Sequence, residues 1–169
     1  MARGEGSAAR QPAEQELVIT RVIDAPRELV FKAWTEPERV MRWWGPKGFK
    51  MPFCKIDLRP GGALHYCMRS PEGRDCWGKG IYREIVEPER IVVTDFFSDE
   101  EGNLVQPSQY GMSPDWPAES LITVTLAERG GKTELTLQHS VPESVPEFAD
   151  CRQGWSESFD RLADYVSKS

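Results

Sequence analysis

His139 lies in the segment TELTLQHSV, where strand alternation places its side chain on the same face as Leu135, Leu137 and Val141. A histidine on an apolar face is either a core residue hydrogen-bonded to a neighbour or a polar group facing a cavity, where it could act as a general base. No nucleophile motif accompanies it nearby in the sequence. We expect the core role, and His139 is the one catalytic candidate that the sequence offers.

The segment GIYREIV, residues 80–86, places charges within an apolar pattern. In a regular strand Arg83 shares one face with two isoleucines, and Glu84 shares the other face with Tyr82. One charge would therefore point toward the interior unless a β-bulge intervenes. That charge either reaches the edge of the sheet or anchors the polar end of a ligand, so Glu84 is a candidate binding residue.

Three of the six tryptophans lie in the segment FKAWTEPERVMRWWGP, residues 31–46. On a helix the side chains of Trp43 and Trp44 point about 100° apart, so both cannot sit at the centre of one apolar stripe. We expect one of them to pack into the core with Trp34 and the other to lie at the rim of a cavity. Core packing of both is the alternative.

The residues expected to contact a ligand carry large or polar side chains on faces that we predict to point inward. In ALHYCMRS the alternation turns Tyr66 and Met68 inward and His65 toward solvent. Trp155 and Phe159 belong to an apolar stripe on the last helix. The full candidate set is Trp34, Trp43, Trp44, Tyr66, Met68, Tyr82, Glu84, His139, Trp155 and Phe159.

The sequence contains no pattern typical of a metal or cofactor site. Its two histidines are far apart, and its four cysteines lack C-x-x-C spacing. We expect no metal, no cofactor and free thiols. If RPGG closes a four-residue loop, Cys54 lies opposite Cys67, and pairing of these two stays open. Gly154 costs about 1 kcal/mol relative to alanine in a helix, and it allows close approach of either the sheet or a ligand.

Hydrophobic periodicity predicts the elements that position these residues. ELVITRVIDA is a strand, and two short helices follow, the second opened by a capping box from Thr35 to Glu38. Six more strand-like segments are joined mostly by short turns and so pair antiparallel. A switch of apolar parity near Pro52 indicates a bulge. A final long helix opens with a second capping box, from Ser144 to Glu147.

The predicted fold class is α+β. A curved antiparallel sheet of six or seven strands wraps around a long C-terminal helix, with two short helices after the first strand. The length of 169 residues suits one domain, which we place at residues 16–169 after a disordered N-terminal tail at residues 1–15.

Charge and hydropathy exclude several function classes. The formal net charge is −6 and no basic run occurs, which argues against nucleic-acid binding and against binding to an anionic membrane surface. No apolar run approaches the roughly 18 residues of a membrane span, and a signal-peptide apolar region is missing. We therefore expect a cytoplasmic protein.

Four separated segments carry a resemblance to a known family. FKAWTEPERVMRWWGP, DLRPGG, GIYREIVEPERIVVT and GWSESFDRLADYV resemble, in this order, the activator-of-heat-shock-protein-90-ATPase homologue family. That family is part of the START-like, birch-pollen-allergen-like helix-grip superfamily. The resemblance extends from about Leu17 to Val166.

The resemblance implies a helix-grip fold with a cavity between the sheet and the C-terminal helix. In the superfamily such cavities often take lipids, sterols or polyketides, so we expect first a protein that binds a small hydrophobic molecule, lipid or polyketide-like. One alternative is a polyketide-cyclase-like or hydrolase-like enzyme that uses the same cavity, with His139 or a carboxylate as base. The other is a chaperone-ATPase-regulating interaction module with a stress-response role, which uses an exposed sheet face or the loop around Tyr110 and Trp116.

Overall fold

The computed structural model of the protein describes residues 15–168. The tail expected over residues 1–15 therefore lies outside the described residues, apart from Gln15, whose carbonyl accepts a hydrogen bond from the Glu143 amide at 2.9 Å. The strands are β1 (Glu16–Ile23), β2 (Lys50–Ile56), β3 (Ala63–Arg69), β4 (Asp75–Val86), β5 (Arg90–Ser98), β6 (Ser120–Arg129) and β7 (Lys132–Pro142). The helices are α1 (Arg27–Thr35), α2 (Pro37–Trp43), α3 (Phe148–Ser167) and a short 3₁₀ helix, Pro107–Tyr110, in the loop between β5 and β6.

The seven strands form one curved antiparallel sheet in the order β1-β7-β6-β5-β4-β3-β2. Helices α1 and α2 carry the chain from β1 at one edge to β2 at the other, and the remaining strands then pair with their neighbours in sequence. The 20-residue helix α3 packs against the sheet. The predicted fold class is confirmed, with seven strands rather than six.

The core lies between the sheet, α3 and the two short helices. Phe159 and Leu162, in the apolar stripe of α3, are completely buried. Val30 and Phe31 of α1 belong to the same buried cluster. Fully burying one such side chain stabilises the fold by about 1.5–3 kcal/mol relative to leaving it exposed. This packing fixes the position of α3 over the sheet, and with it the side chains that α3 directs inward.

A β-bulge resolves the charge pattern of GIYREIV. The register of β4 against β5 shifts between Tyr82 and Glu84, so Tyr82 is buried while both Arg83 and Glu84 are exposed. The Glu84 carboxylate accepts a hydrogen bond from Nε of Arg90 at 3.0 Å. The bulge predicted near Pro52 is also confirmed, because the register of β2 against β3 shifts between Lys50 and Phe53.

The two predicted capping boxes are wrong. Thr35 donates its hydroxyl to the Phe31 carbonyl at 2.9 Å inside α1, and α2 begins only at Pro37. Helix α3 begins at Phe148, and its N-cap residue Glu147 makes no side-chain bond to the helix. The Glu147 carboxylate accepts two hydrogen bonds from another part of the chain.

The guessed register of Cys54 opposite Cys67 is also wrong. The loop between β2 and β3 spans residues 57–62, which is longer than RPGG alone, and this shifts the pairing by one residue. Cys54 therefore lies opposite Tyr66, and Phe53 lies opposite Cys67. The chain's cysteines are all free thiols.

Of the helices within residues 15–168, none combines the length and the apolar character that a membrane crossing requires. Over the same residues, no group of three or more His, Cys, Asp or Glu side chains is arranged to hold a metal ion.

Candidate ligand-binding cavity

A cavity of about 210 Å³ lies between the sheet and α3. The segment after α2 and the loop between β5 and β6 complete its walls. A larger groove of about 580 Å³ runs along the surface between α2 and α3, but charged side chains of both signs line it. The cavity between the sheet and α3 is lined by Trp44, Gly45, Pro46, Tyr66, Met68, Asp95, Phe97, Trp116, His139, Asp150, Cys151, Gly154, Trp155 and Ser158.

Trp43 and Trp44 have different roles because α2 ends between them. Trp43 is the last helical residue; it is fully buried and donates its indole N–H to the Ala33 carbonyl at 2.9 Å. Trp44 has extended backbone angles, φ −65° and ψ 131°, which turn its side chain into the cavity wall. Both rings contact Trp34, with centroid distances of 4.8 and 5.5 Å. Trp43 thus packs in the core, while Trp44 is a buried residue of the cavity wall.

Helix α3 holds this wall in place through the segment that follows Trp44. The Gly45 amide donates to the Ser158 hydroxyl at 3.1 Å, and the Arg161 guanidinium donates to the carbonyls of Gly45 and Pro46 at 2.9 and 3.0 Å. Gly45 has φ 115°, a conformation that side chains other than glycine rarely adopt. Hydrogen bonds therefore hold the turn at Gly45 and Pro46 against α3.

Aromatic rings follow one another around the cavity. The ring centroid of Trp44 lies 5.7 Å from Tyr66 and 5.3 Å from Trp155. The imidazole of His139 lies 6.1 Å from Trp155 and 6.4 Å from Trp116. These separations are typical of favourable aromatic contacts, so the rings support one another and present their remaining surface to the cavity.

Tyr66 reaches across the sheet to a carboxylate. Its ring, from β3, passes over Gly78 of β4, and its hydroxyl donates to Oδ1 of Asp95 on β5 at 3.0 Å. A Cβ atom at position 78 would lie 2.4 Å from Cζ of Tyr66, closer than real Cβ atoms approach other atoms. The glycine is therefore what lets the tyrosine ring cross the strand.

Asp95 is an acidic group in apolar surroundings. Burial raises its pKa to about 6, and the hydrogen bond from Tyr66 opposes this only in part. The side chain retains some accessible surface, which we attribute to the cavity that it lines. Within residues 15–168 Asp95 forms no ion pair, and its Oδ2 atom accepts no hydrogen bond. One carboxylate oxygen therefore stays available to a guest.

His139 is held in one tautomer by its partners. The Trp155 indole N–H, which can only donate, lies 3.1 Å from Nδ1, so Nδ1 accepts and the proton resides on Nε2. Nε2 then donates to the Ser120 hydroxyl at 2.9 Å, and that hydroxyl donates to the Asp95 carbonyl at 3.4 Å. Burial lowers the pKa of His139 to about 4, so the imidazole is neutral at pH 7.

Two nucleophile arrangements near His139 are not set up for catalysis. A Ser–His pair requires the imidazole to accept the hydroxyl proton, whereas Nε2 here donates to Ser120. The Cys151 sulfur lies 3.8 Å from Nδ1, but burial raises the pKa of this thiol to about 12. Nδ1 is already occupied by Trp155. These contacts support a hydrogen-bonded histidine that lines the cavity.

Gly154 leaves space for the cavity. A Cβ atom added at this position would meet only Cγ of Pro46, at 3.4 Å, which is an ordinary contact distance. Packing of α3 against its neighbours therefore does not require a glycine here. Of the two roles that the sequence left open for Gly154, the structure favours room for a ligand.

The loop between β5 and β6 covers one side of the cavity. The Glu147 carboxylate accepts hydrogen bonds from the Ser113 amide and hydroxyl at 2.6 and 2.9 Å. Tyr110 donates its hydroxyl to the Ser98 carbonyl at 2.6 Å. Half-buried Trp116 lines the cavity beside His139. These contacts hold the loop against the body of the protein.

The structure brings half of the sequence-predicted residues to this cavity. Those that line it are Trp44, Tyr66, Met68, His139 and Trp155. Those that lie in the core behind it are Trp34, Trp43, Tyr82 and Phe159. Glu84 lies outside it on the exposed side of β4, because the bulge turns its side chain away from the interior.

Sequence reasoning did not single out several lining residues. Asp95 interrupts the apolar run IVVTDFF, and a carboxylate inside a buried strand was the signal that could have found it. Cys151 precedes Trp155 by four residues and shares its helical face. Phe97, two residues after Asp95, carried no comparable signal.

Comparisons with known proteins agree with this fold. The family model described as "Activator of Hsp90 ATPase homolog 1-like protein" matches residues 24–167. A protein from Chromobacterium violaceum of known structure is 30% identical; the match covers 89% of this chain and 95% of that one, with a TM-score of 0.70. No curated protein matches this chain.

Two more distant structures share the fold. A protein from Nitrosomonas europaea is 23% identical, with a TM-score of 0.75 over 94% of this chain and 97% of that one. An AHSA1 protein from Silicibacter pomeroyi is 21% identical, with a TM-score of 0.70 over 90% of this chain and 98% of that one.

Proposed function

The chain belongs to the family of activator of Hsp90 ATPase homologue 1-like proteins, and we propose that it binds a compact, largely apolar ring molecule between the sheet and α3. Family membership supports a fold of the ligand-binding or co-chaperone type in general. The observation that carries the proposal is the cavity between the sheet and α3, which aromatic rings line on successive sides. The binding unit is a single domain over residues 16–169.

The cavity volume indicates the size of a guest that fits inside it. A cavity of about 150 Å³ in another protein holds benzene, while pockets for drug-sized ligands run from about 300 to 1,000 Å³. A volume of about 210 Å³ therefore suits a molecule of one or two rings. A long acyl chain or a sterol would exceed it, so the proposal is narrower than a general lipid carrier.

An enzyme that uses His139 as a general base has less support. Nδ1 of His139 accepts the Trp155 indole N–H, and Nε2 carries the proton that is donated to Ser120. Neither ring nitrogen presents a free lone pair to a substrate. We therefore assign His139 to the wall of the cavity, where it orients Trp155.

A chaperone-regulating role rests on the family description alone. The sequence offered two surfaces for such a partner, an exposed sheet face and the loop around Tyr110 and Trp116. Both side chains are engaged internally, Tyr110 with Ser98 and Trp116 with the cavity. No contact in the described residues favours this second function over binding.

Filling the cavity tests the proposal. Gly154→Leu places a branched side chain in the cavity from a helix that accepts it, while Ala149→Leu adds the same side chain at an exposed position of α3. Calorimetric titration with indole, a neutral two-ring probe, should show saturable binding to the wild type and to Ala149→Leu. Gly154→Leu should weaken that binding at least about tenfold. Equal binding to all three proteins, or none to the wild type, would contradict the proposal.

A further inference from the structure

The charged residues that line the cavity are all acidic. Two of its lining residues are carboxylates, Asp95 within the cavity and exposed Asp150 beside it, and none is Lys or Arg. A cavity that bound an anionic group would be expected to offer it a cation or several free N–H donors. Two of the donors that line the cavity are already engaged, because Tyr66 donates to Asp95 and Trp155 donates to His139.

Asp95 has an unused acceptor. Its Oδ1 atom accepts from Tyr66, but no hydrogen bond within residues 15–168 reaches Oδ2, and no basic side chain pairs with the carboxylate. A carboxylate in apolar surroundings with no counter-charge is costly, and its pKa is raised accordingly. A guest that brings a positive charge or a strong donor would offset this cost.

The aromatic wall favours the same kind of guest. The faces of Trp and Tyr rings carry partial negative charge and attract cations placed within about 6 Å. Trp44, Trp155 and Tyr66 surround the cavity with centroid separations of 5.3 and 5.7 Å. A cationic group inside would therefore lie among aromatic rings as well as beside a carboxylate.

We propose that the ligand is a ring compound with a protonated amine, which pairs with Asp95 while the ring packs against Trp44 and Trp155. This assignment rests on the proposed function and names its ligand class. Position 78 must be glycine for the same site, since Tyr66 crosses that strand to orient the Asp95 carboxylate. Asp95 is thus the residue that selects for charge.

Three probes that differ in one group test the assignment. 2-Phenylethylamine is cationic at pH 7.5, 2-phenylethanol is neutral and phenylacetate is anionic. In calorimetric titrations the wild-type protein should bind the amine with an affinity at least about tenfold higher than its affinity for phenylacetate. Asp95→Asn keeps the acceptor for Tyr66 but removes the charge. It should therefore lower the affinity for the amine at least about tenfold and the affinity for 2-phenylethanol less than about threefold. Asp57→Asn, in an exposed loop, is the matched control and should change neither.

The outcomes separate the two proposals. If 2-phenylethanol binds but Asp95→Asn leaves the affinity of the amine unchanged, or if phenylacetate binds as tightly as the amine, the charge assignment is wrong and the binding function stands. If none of the three probes binds the wild type, both proposals fail. Retained binding of 2-phenylethanol by Asp95→Asn also shows that the variant is folded.

Discussion

Replacing Asp95 with asparagine should make the unliganded protein more stable at pH 8. The carboxylate lines an apolar cavity without a cationic partner in residues 15–168, and burial raises its pKa to about 6. Asparagine keeps the oxygen that accepts the Tyr66 hydroxyl, so the hydrogen bond survives while the charge disappears. A residue that costs stability in this way is typical of a binding site.

The size of the gain follows from the pKa of Asp95. A rise from 3.8 to about 6 corresponds to about 3 kcal/mol between the protonated and charged forms. Because part of the Asp95 side chain remains accessible, water in the cavity will reduce this energy difference. We therefore expect the free energy of unfolding to rise by about 1–3 kcal/mol in Asp95→Asn.

The gain in stability of Asp95→Asn over the wild type should increase as the pH rises. Since the folded pKa of Asp95 is above the unfolded value, its stabilising contribution is complete below pH 3.8 and is lost as the pH rises through about 6. His139 acts in the opposite direction. Its pKa is lowered to about 4, so its contribution is present above pH 6.5 and is lost as the pH falls through about 4. Between about pH 4 and 6, where both contributions change with pH, the two should largely cancel in the wild type.

Urea unfolding at pH 8, 6 and 4, followed by tryptophan fluorescence, measures these differences. The free energy of unfolding of Asp95→Asn should exceed that of the wild type by about 1–3 kcal/mol at pH 8 and equal it near pH 4. Asp57→Asn, which breaks only an exposed ion pair with Arg59, should stay within about 0.5 kcal/mol at every pH. An Asp95→Asn protein that is less stable at pH 8, or whose advantage does not change with pH, would refute the reasoning.

Three further predictions concern the residues that position the site. Nitrogen NMR of the His139 ring should show the Nε2–H tautomer from pH 5 to 8, and Trp155→Phe should abolish this preference; a mixed-tautomer wild type would contradict the network. Gly78→Ala should lower stability by about 1–3 kcal/mol in urea, because a Cβ atom there collides with the Tyr66 ring; an unchanged midpoint would show that the ring can move aside. Glu147→Gln should speed hydrogen exchange at the Ser113 amide, while Glu143→Gln should not; equal exchange in both would mean that Glu147 does not hold the loop.

The fold could be predicted because it depends on patterns that repeat along the chain. Alternation of apolar and polar residues predicted the strands, and apolar residues spaced three and four apart predicted the stripe of α3. The charge pattern of GIYREIV left a β-bulge open as one explanation, and the register shift between Tyr82 and Glu84 is such a bulge. These features are local, so a single segment contains the information for each.

The site was only partly predictable because it depends on contacts between distant segments. Thr35 and Glu147 matched capping boxes in sequence, but each found another acceptor or donor once the chain folded. Asp95 gains its importance from Tyr66, which is two strands away, and from the absence of a cation among the described residues around it. Such a pairing becomes visible only when strand order and register are known.

The tryptophan indole N–H signals test the central claim most directly, because each of the six reports on a different place in the fold. Titration with 2-phenylethylamine should shift the signals of Trp44, Trp116 and Trp155, which line the cavity, and the shifts should saturate. Trp77, which packs against Phe53 and His65 away from the cavity, should not move. Shifts at Trp77 with none at the three cavity tryptophans would contradict ligand binding between the sheet and α3.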